Sequence, residues 1–432
     1  MRVVFVVLFV TLLIVSGCAP SVRNNVIAYL ITEQFGTTNL PASTAPPGSL
    51  EGFVELEGKP LAGVTVVVAE RTGKPYTART DEQGHYQIVG IPPGQYVPGA
   101  VAPGIDEIEP LGSLGLPWLV TIRSQEVTQA PLLRMQRHVP TPLPAPLANS
   151  VQLSVTAQFT SATNFPAGSQ ADVTAFQFVY QGVAVDTLRL YLPRSQPAQL
   201  EADTQYPLLF MVYPSPVDLW VSVSTAYAAQ GYTLVAISPM AAHALDVDAH
   251  AQDARVALAL AESGALSPHV RPGKAIALGG SFSSAILNRL LRDSNDGNGQ
   301  DAIGAWVTVG GIANAFTGAA DFYAGRIQVP PDYRLLIPAL GPANLYPLPF
   351  LRYSPVYVAG QLPPTLIIHT DADAIIPIEQ AKELESQLRA AGVPTEVFYY
   401  QDVSHYLQIG DDMTEAGQEM FWRILEFIKR YQ

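Results

Sequence analysis

The chain has 432 residues, long enough for two or three folded domains rather than one small core. Hydrophobic residues make up 48% and charged residues only 14%, a balance that excludes an intrinsically disordered chain. A formal net charge of -13 without a basic stripe excludes a nucleic-acid surface, because an acidic face repels phosphate backbones.

Met1-Arg2 supplies a short positive start, and Val3 to Val15 is an almost unbroken apolar run. That run is too short to span a bilayer comfortably and suits the h-region of an export signal. It closes in Val15-Ser16-Gly17-Cys18, and Cys18 is the only cysteine, so an internal disulfide is excluded. This ending resembles a bacterial lipobox, which implies a signal peptide over 1–17 and acylation of the Cys18 thiol. The expected location is extracytoplasmic, with the protein held on a bacterial membrane by its lipid while the domains stay in water. Ala19 stands where an aspartate often retains such proteins at an inner membrane, a hint of an outer one.

Residues 18–49 read as the lipidated start and a tether, ending in the proline-rich Pro41 to Gly48. From Leu50 short alternating runs are broken by turns. Phe53-Val54-Glu55-Leu56, Val64 to Val68, Tyr76 to Thr80, His85 to Ile88 and Gln95-Tyr96-Val97 are the expected strands. Asp81-Glu82-Gln83-Gly84 and Pro92-Pro93-Gly94 are the clearest turns between them. Such regular punctuation predicts a small all-β sandwich over 50–138. Gly63-Val64-Thr65-Val66, Thr80 to Tyr86 and Gly90-Ile91-Pro92-Pro93-Gly94-Gln95-Tyr96 resemble the carboxypeptidase regulatory-like domain. The resemblance implies a spacer or adhesion module without catalytic residues.

A second proline-rich link, 139–150, precedes a change of period. Strand-like runs at Phe176 to Tyr180 and Thr187 to Tyr191 lead into Leu208 to Val212. Later strands alternate with helices: Leu234 to Ile237 before Ala249 to Glu262, and Ala275 to Leu278 before Ser283 to Leu291. Leu366 to Ile368 precedes Ile378 to Ala391, and Val397 to Tyr400 precedes Thr414 to Tyr431. Apolar strands alternating with amphipathic helices predict an α/β domain over 151–432, a mostly parallel sheet with helices on both faces. Active groups of such a sheet lie just past strand C-termini.

Three windows carry candidate chemistry. Gly279-Gly280-Ser281-Phe282-Ser283 follows the strand Ala275 to Leu278 and opens a helix, a sharp turn that would lift the Ser281 hydroxyl above the sheet. Small residues are needed two before and two after the serine, and Gly279 and Ser283 occupy those places. The Phe282 N–H would point at a developing oxyanion. In the second window Leu366-Ile367-Ile368-His369-Thr370-Asp371-Ala372-Asp373 ends a buried strand in an acidic loop, where either aspartate could orient a base or cap the next helix. The third, Asp402-Val403-Ser404-His405, sets a histidine just past another strand. Serine, acid and histidine in that chain order, each past a strand end, predict a nucleophile, an orienting carboxylate and a general base.

From about Val173 onward the chain resembles an α/β-hydrolase of the prolyl oligopeptidase and dienelactone hydrolase kind. Tyr206-Pro207-Leu208-Leu209 is similar to that family's third-strand start, and Tyr353-Ser354-Pro355-Val356-Tyr357 with Pro364 to His369 is similar to its run into the acid loop. The resemblance implies Ser281 as nucleophile, His405 as base, Asp373 rather than Asp371 as acid, and a structural His369. It implies no metal or organic cofactor. The family's His-Gly after the third strand is replaced by Tyr213-Pro214-Ser215-Pro216. Proline has no N–H, so the second oxyanion donor is expected from the Ser215 N–H or the Tyr213 hydroxyl. Ser283 stands for the usual glycine.

Of the remaining features, Asp293 to Asp301 lacks the glycine at the sixth position that a calcium loop needs and reads as an acidic turn. Asp246, Asp248, His250 and Asp253 read as a solvated helix start rather than a metal site. The aromatic segment Asn314 to Leu351, with Phe316, Phe322, Tyr323 and Tyr333, reads either as a cap over Ser281 or as ordinary core. Expected partners are a small ester or peptide substrate and, through the lipid, a membrane. The chain has no propeller-like repeats to gate a peptide tunnel, which favours esters. A binding lipoprotein on an inactive hydrolase fold is the alternative.

Overall fold

The computed structural model describes residues 45–112, 115–145, 147–194, 204–294, 301–329, 336–405 and 414–432. The expected export signal, Cys18 and Tyr333 lie outside these, as does most of the acidic turn after Asp293. The chain divides into two compact units. Unit 1 takes the residues up to His138 with His243–Asp246 and Asn314–Tyr357, and unit 2 takes Val139–Ala242, Val247–Ala313 and Val358–Gln432.

Among its described residues unit 1 has the strands β1 (Gly48–Leu56), β2 (Lys59–Pro60), β3 (Thr65–Ala69), β4 (Pro75–Arg79), β5 (His85–Ile91), β6 (Gly94–Tyr96), β7 (Gly99–Ala102), β8 (Ile105–Ile108), β9 (Val120–Ile122), β10 (Val127–Gln129) and β11 (Leu133–Met135). β1 is the spine of one sheet, pairing with β5, β10, β11 and β2, while β4-β3-β7-β8 form a second. Alternate residues of the strands point to one face, and those of both sheets, Leu50, Val54, Val66, Val68, Tyr86 and Ile88 among them, share one core. The predicted turn before β5 forms as its chemistry requires. Asp81 Oδ1 accepts from the N–H groups of Gln83 and His85 at 3.0 and 2.9 Å, and Gly84 supplies a φ of +70°.

The segment Asn314–Tyr357, which the sequence groups with the α/β domain, clusters with these strands. Phe316 is fully buried and stacks on Phe350 at 5.1 Å. A Cβ on Gly73 would come 2.5 Å from the Phe316 carbonyl oxygen, so this strand connection and the helix Ala315–Tyr323 touch only because position 73 has no side chain. The Val97 N–H donates to Asn344 O at 2.8 Å, and Arg352 pairs with Glu107 at 2.9 Å.

Unit 2 is built on one nine-stranded sheet of β12 (Gln152–Thr163), β13 (Ser169–Tyr180), β14 (Val183–Pro193), β15 (Leu208–Val212), β16 (Thr233–Ile237), β17 (Ala275–Gly280), β18 (Ile303–Val309), β19 (Thr365–Thr370) and β20 (Thr395–Tyr400). Their order is β12-β13-β14-β16-β15-β17-β18-β19-β20. The first three pair antiparallel, β14 meets β16 antiparallel, and every pairing from β16 through β20 is parallel. This is the α/β-hydrolase order with β12 added at the edge. Alternate residues of the parallel strands, such as Leu209, Met211, Ile276 and Leu278, pack with α1 (Val221–Ala228) and with Met420, Phe421, Ile424 and Ile428 of a C-terminal helix. The intervening Phe210, Val235, Ala277 and Ile367 face the other way and are equally buried. α2 (Val247–Glu262) packs on β16 and on α3 (Ser283–Ser294), α3 on β15, β17 and β18, α4 (Ile378–Ala390) on β19 and β20, and the C-terminal helix α5 (Glu415–Arg430) on β19.

The chain passes from β15 to β16 on one side, then returns across β15 to β17 on the other. Connections leave in opposite directions there, which opens a crevice beyond the C-terminal ends of β15 and β17. Both the Ser281 turn and the Tyr213–Pro216 loop begin at that crevice.

Candidate active site

Ser281 directly follows β17 and precedes α3. Its φ is +50°, a left-handed conformation that an L-residue with a side chain adopts at a cost of about 1–3 kcal/mol. The surroundings hold it there. The Ser281 N–H lies 3.2 Å from Val309 O and 3.1 Å from Gly310 O, and its carbonyl accepts from the Ile312 N–H and the Ser284 hydroxyl. Gly279 has the expected lack of room: a Cβ there would meet Leu287 Cδ1 at 2.6 Å and Val212 O at 2.9 Å. The neighbouring Gly280 is tighter still, with Val309 O only 1.8 Å from where a Cβ would sit. The small residue beyond the turn, Ser283, is fully buried and its hydroxyl folds back onto the turn. Its Oγ donates to Gly280 O at 2.7 Å and accepts from Gly280 N–H at 3.0 Å, so it braces the backbone that glycine would merely let pass.

His405 bridges the other two predicted residues. Its Nε2 lies 3.2 Å from Ser281 Oγ and its Nδ1 2.6 Å from Asp373 Oδ2. With Nδ1 protonated toward the carboxylate, Nε2 is free to accept the serine proton. The second oxygen of Asp373, Oδ1, accepts from the N–H groups of Ile375 and Ile376 at 2.9 and 2.8 Å. Burial by itself would raise the Asp373 pKa; the His405 hydrogen bond and charge and the two N–H donors outweigh it and hold the carboxyl below its ordinary value. It is therefore ionised at neutral pH.

Asp371 is exposed and does not reach the ring; its Oδ1 accepts from the Asp402 N–H at 2.9 Å. His369 is buried, and its Nε2 lies 2.8 Å from Ile376 O and 3.5 Å from Asp373 Oδ2. Burial depresses its pKa, so it stays neutral and donates from Nε2 to close the acid loop. Gly310 and Gly311 were not singled out by sequence reasoning. Gly310 has φ +56°, and a Cβ on it would sit 3.4 Å from His405 Cε1. The signal was present: a glycine pair follows the apolar strand β18 just as Gly279-Gly280 ends β17.

Of the two candidate oxyanion donors after β15, the Tyr213 hydroxyl is turned inward. The Tyr213 side chain is buried, its hydroxyl 2.8 Å from Ser224 Oγ and 3.1 Å from Met211 Sδ. Its ring stacks on Trp220 at 4.8 Å, and burial drives its pKa well up. Residues alternate in direction along a strand, so Tyr213 at the end of β15 continues the inward row of Met211 and turns from the crevice. Ser215 lies on the loop itself. Its Oγ accepts from Trp220 Nε1 at 2.8 Å, and its N–H has no acceptor among the described residues. Phe282 takes the first position after the nucleophile turn, its ring edge-on to that of the buried His250 at 5.9 Å.

Asp248 of the acidic stretch pairs with Arg289 at 2.6 Å, and His250 Nδ1 lies 3.4 Å from the Met240 N–H. Among the described residues no group of His, Cys, Asp and Glu is arranged to hold a metal ion. No helix among them is long and apolar enough to cross a membrane.

Residues 49–112 match the carboxypeptidase regulatory-like domain. The match begins in β1 and stops before β9, β10 and β11, which add further strands to unit 1 up to Met135. A protein of Bacillus subtilis (strain 168) described as "Uncharacterized peptidase YuxL" is 25% identical over 228 residues, which are 49% of this chain and 33% of that protein. The chain thus spans about a third of the length of that curated relative. Among solved structures, a thermophilic esterase from Thermogutta terrifontis shares 18% identity at a TM-score of 0.43, covering 58% of this chain and 90% of that one. An acylaminoacyl peptidase from Pyrococcus horikoshii shares 14% at a TM-score of 0.44, covering 86% and 55%.

Proposed function

We propose that the chain is a serine hydrolase that cleaves carboxylic esters through an acyl-enzyme on Ser281. The observation that carries this reading is the continuous path from Ser281 Oγ through the His405 ring to the buried Asp373 carboxylate, at 3.2 and 2.6 Å. A serine hydroxyl is a weak nucleophile until a positioned base takes its proton, and an imidazole does so efficiently when a carboxylate stabilises the imidazolium. His405 removes the proton as Oγ attacks the carbonyl carbon. The negative charge on the carbonyl oxygen is met by the Phe282 N–H and, as the second donor, the Ser215 N–H. His405 then gives its proton to the leaving alcohol, and the acyl group stays on Ser281. Water, deprotonated by the same ring, attacks the acyl carbon and releases the acid, which restores Ser281.

A fluorophosphonate probe tests this directly. Labelling of the full chain that vanishes in Ser281→Ala supports the reading, whereas a folded chain that never labels favours a binding protein on the hydrolase fold. The relative described as a peptidase motivates the second reading, hydrolysis of peptide bonds. Comparing release of p-nitrophenol from short acyl esters with cleavage of aminoacyl anilides separates the two.

We further propose that Cys18 is acylated after export and tethers the protein to a bacterial membrane, on the strength of Val15-Ser16-Gly17-Cys18 after an apolar run. Incorporation of labelled fatty acid in a bacterial host, absent in Cys18→Ala, is the expected result; equal incorporation in both overturns it.

A further inference from the structure

The base and the acid come from adjacent parallel strands, β20 and β19, whose last ladder pair is Tyr400 with Thr370. Beyond that pair the strands part, and a free turn of five residues would carry His405 through many orientations. Backbone and side chains at the end of the acid strand continue the bonding where the ladder stops. The Asp371 N–H donates to Tyr400 O at 3.1 Å, and the Asp402 N–H donates to Asp371 Oδ1 at 2.9 Å. The Thr370 hydroxyl donates to Val403 O at 2.5 Å. Asp402 is held at φ +58°, a left-handed kink that reverses the chain just before the histidine.

We propose that Asp371, assisted by Thr370, is the positioning residue for His405: it clamps the 401–404 turn so that the ring meets Ser281 and Asp373 together. The proposal rests on the serine-hydrolase reading for its kinetic consequence but not for its structural one. Asp371 then has a role although it never touches the reacting atoms. A carboxylate accepting a backbone N–H makes a charge-assisted bond that survives partial exposure better than a neutral one. Placing both ends of the acid–base pair under the control of residues 370–373 makes their separation insensitive to motion elsewhere.

The test uses the full chain in detergent with p-nitrophenyl butyrate, comparing wild type with Asp371→Ala, Asp371→Asn and Thr370→Val. Misplacing a catalytic group by about 1 Å costs on the order of a hundredfold in rate, so Asp371→Ala is expected to lower kcat ten- to a hundredfold with KM little changed. Asp371→Asn keeps the accepting oxygen and should retain most of the activity. Thr370→Val removes the bond to Val403 O, together with the 3.4 Å bond from the Ala372 N–H, at constant shape and should lower kcat in the same manner, which carries the test if Asp371→Ala does not fold. Hydrogen exchange gives a readout independent of activity: protection of the Asp402 amide should fall in Asp371→Ala and persist in Asp371→Asn. Wild-type kcat in Asp371→Ala, an Asn variant as impaired as the Ala one, or unchanged Asp402 protection overturns the clamp. An inert wild type with normal loss of protection in Asp371→Ala would instead overturn the hydrolase reading and leave the clamp standing.

Discussion

The ring of His405 lies against the bare backbone of Gly310, where a Cβ would come 3.4 Å from both Cε1 and Nδ1. Gly310 also holds a φ of +56°, and its carbonyl receives the Ser281 N–H at 3.1 Å. One glycine therefore touches both the nucleophile's turn and the base. Gly310→Ala is expected to cost about 1–2 kcal/mol of stability for the left-handed backbone and, as that strained backbone relaxes against the ring, to lower kcat up to about tenfold. Thermal unfolding and steady-state ester hydrolysis measure the two effects, and a variant with wild-type kcat would show that the ring has slack.

Ser281 itself stores strain, since its φ of +50° suits glycine better than serine. Ser281→Ala should keep that strain and Ser281→Gly should release it. Both lose hydrolysis, by a factor on the order of 10⁴–10⁶. The glycine variant should nevertheless unfold at higher denaturant than the alanine one, by up to about 1 kcal/mol. A glycine variant less stable than the alanine variant would show that the turn is relaxed.

Substitution separates the two oxyanion candidates after β15. Tyr213→Phe removes a hydroxyl that faces Ser224 and Met211 and should leave kcat near wild type while costing about 1 kcal/mol of stability. Ser215→Ala keeps the backbone N–H and should retain activity. Ser215→Pro deletes the N–H and should lower kcat by about 10²–10³ with a smaller change in KM. A large kcat loss in Tyr213→Phe would return the tyrosine to the site.

Stability should respond to pH in opposite senses at the acid loop of unit 2 and at Glu109 of unit 1. Asp373 has its pKa lowered on folding, so its contribution is complete above the ordinary carboxylate value and is lost as pH falls through the folded value. His369, also lowered, is neutral in the fold; the unfolded imidazole binds its proton first as pH falls below about 6.5, and that too disfavours the folded state. These two groups disfavour the fold on acidification, and His369→Gln should flatten that part of the slope between about pH 7 and pH 5.

Glu109 in unit 1 runs the other way. Burial raises its pKa to about 7, against the Leu348 N–H and the Arg352 charge, which lower it. A raised carboxyl stabilises fully below its unfolded pKa, and that contribution is lost as pH rises through about 7. One oxygen of Glu109 is buried without a partner among the described residues. Glu109→Gln should therefore stabilise unit 1 at pH 8, by about 1–3 kcal/mol, and do little at pH 5. Denaturant unfolding at the two pH values gives the answer, and equal effects at both would refute the assignment.

Much of this protein is legible in one dimension because its signals are local. Alternation over two residues marks β1 and β5 of the sandwich, and unbroken apolar runs mark β3, β15, β16, β17 and β19. Each candidate for the nucleophile, acid and base sits next to such a run, so its place past a strand end follows from neighbours in sequence. β12 was not singled out although Leu153, Val155, Ala157 and Phe159 alternate with polar residues; as an edge strand it leaves most of that apolar row exposed. The tertiary structure alone decided what depends on contacts between distant residues. It brought Ser281 and Asp373 to one ring across 124 and 32 residues of chain, turned the Tyr213 hydroxyl inward, left no room for a side chain at Gly280 against Val309 O, and set Gly310 against the His405 ring. It also gathered Asn314–Tyr357 onto the strands of unit 1. Composition and period decide which residues are buried; which atom each meets is set by packing, and packing is not written at any single position.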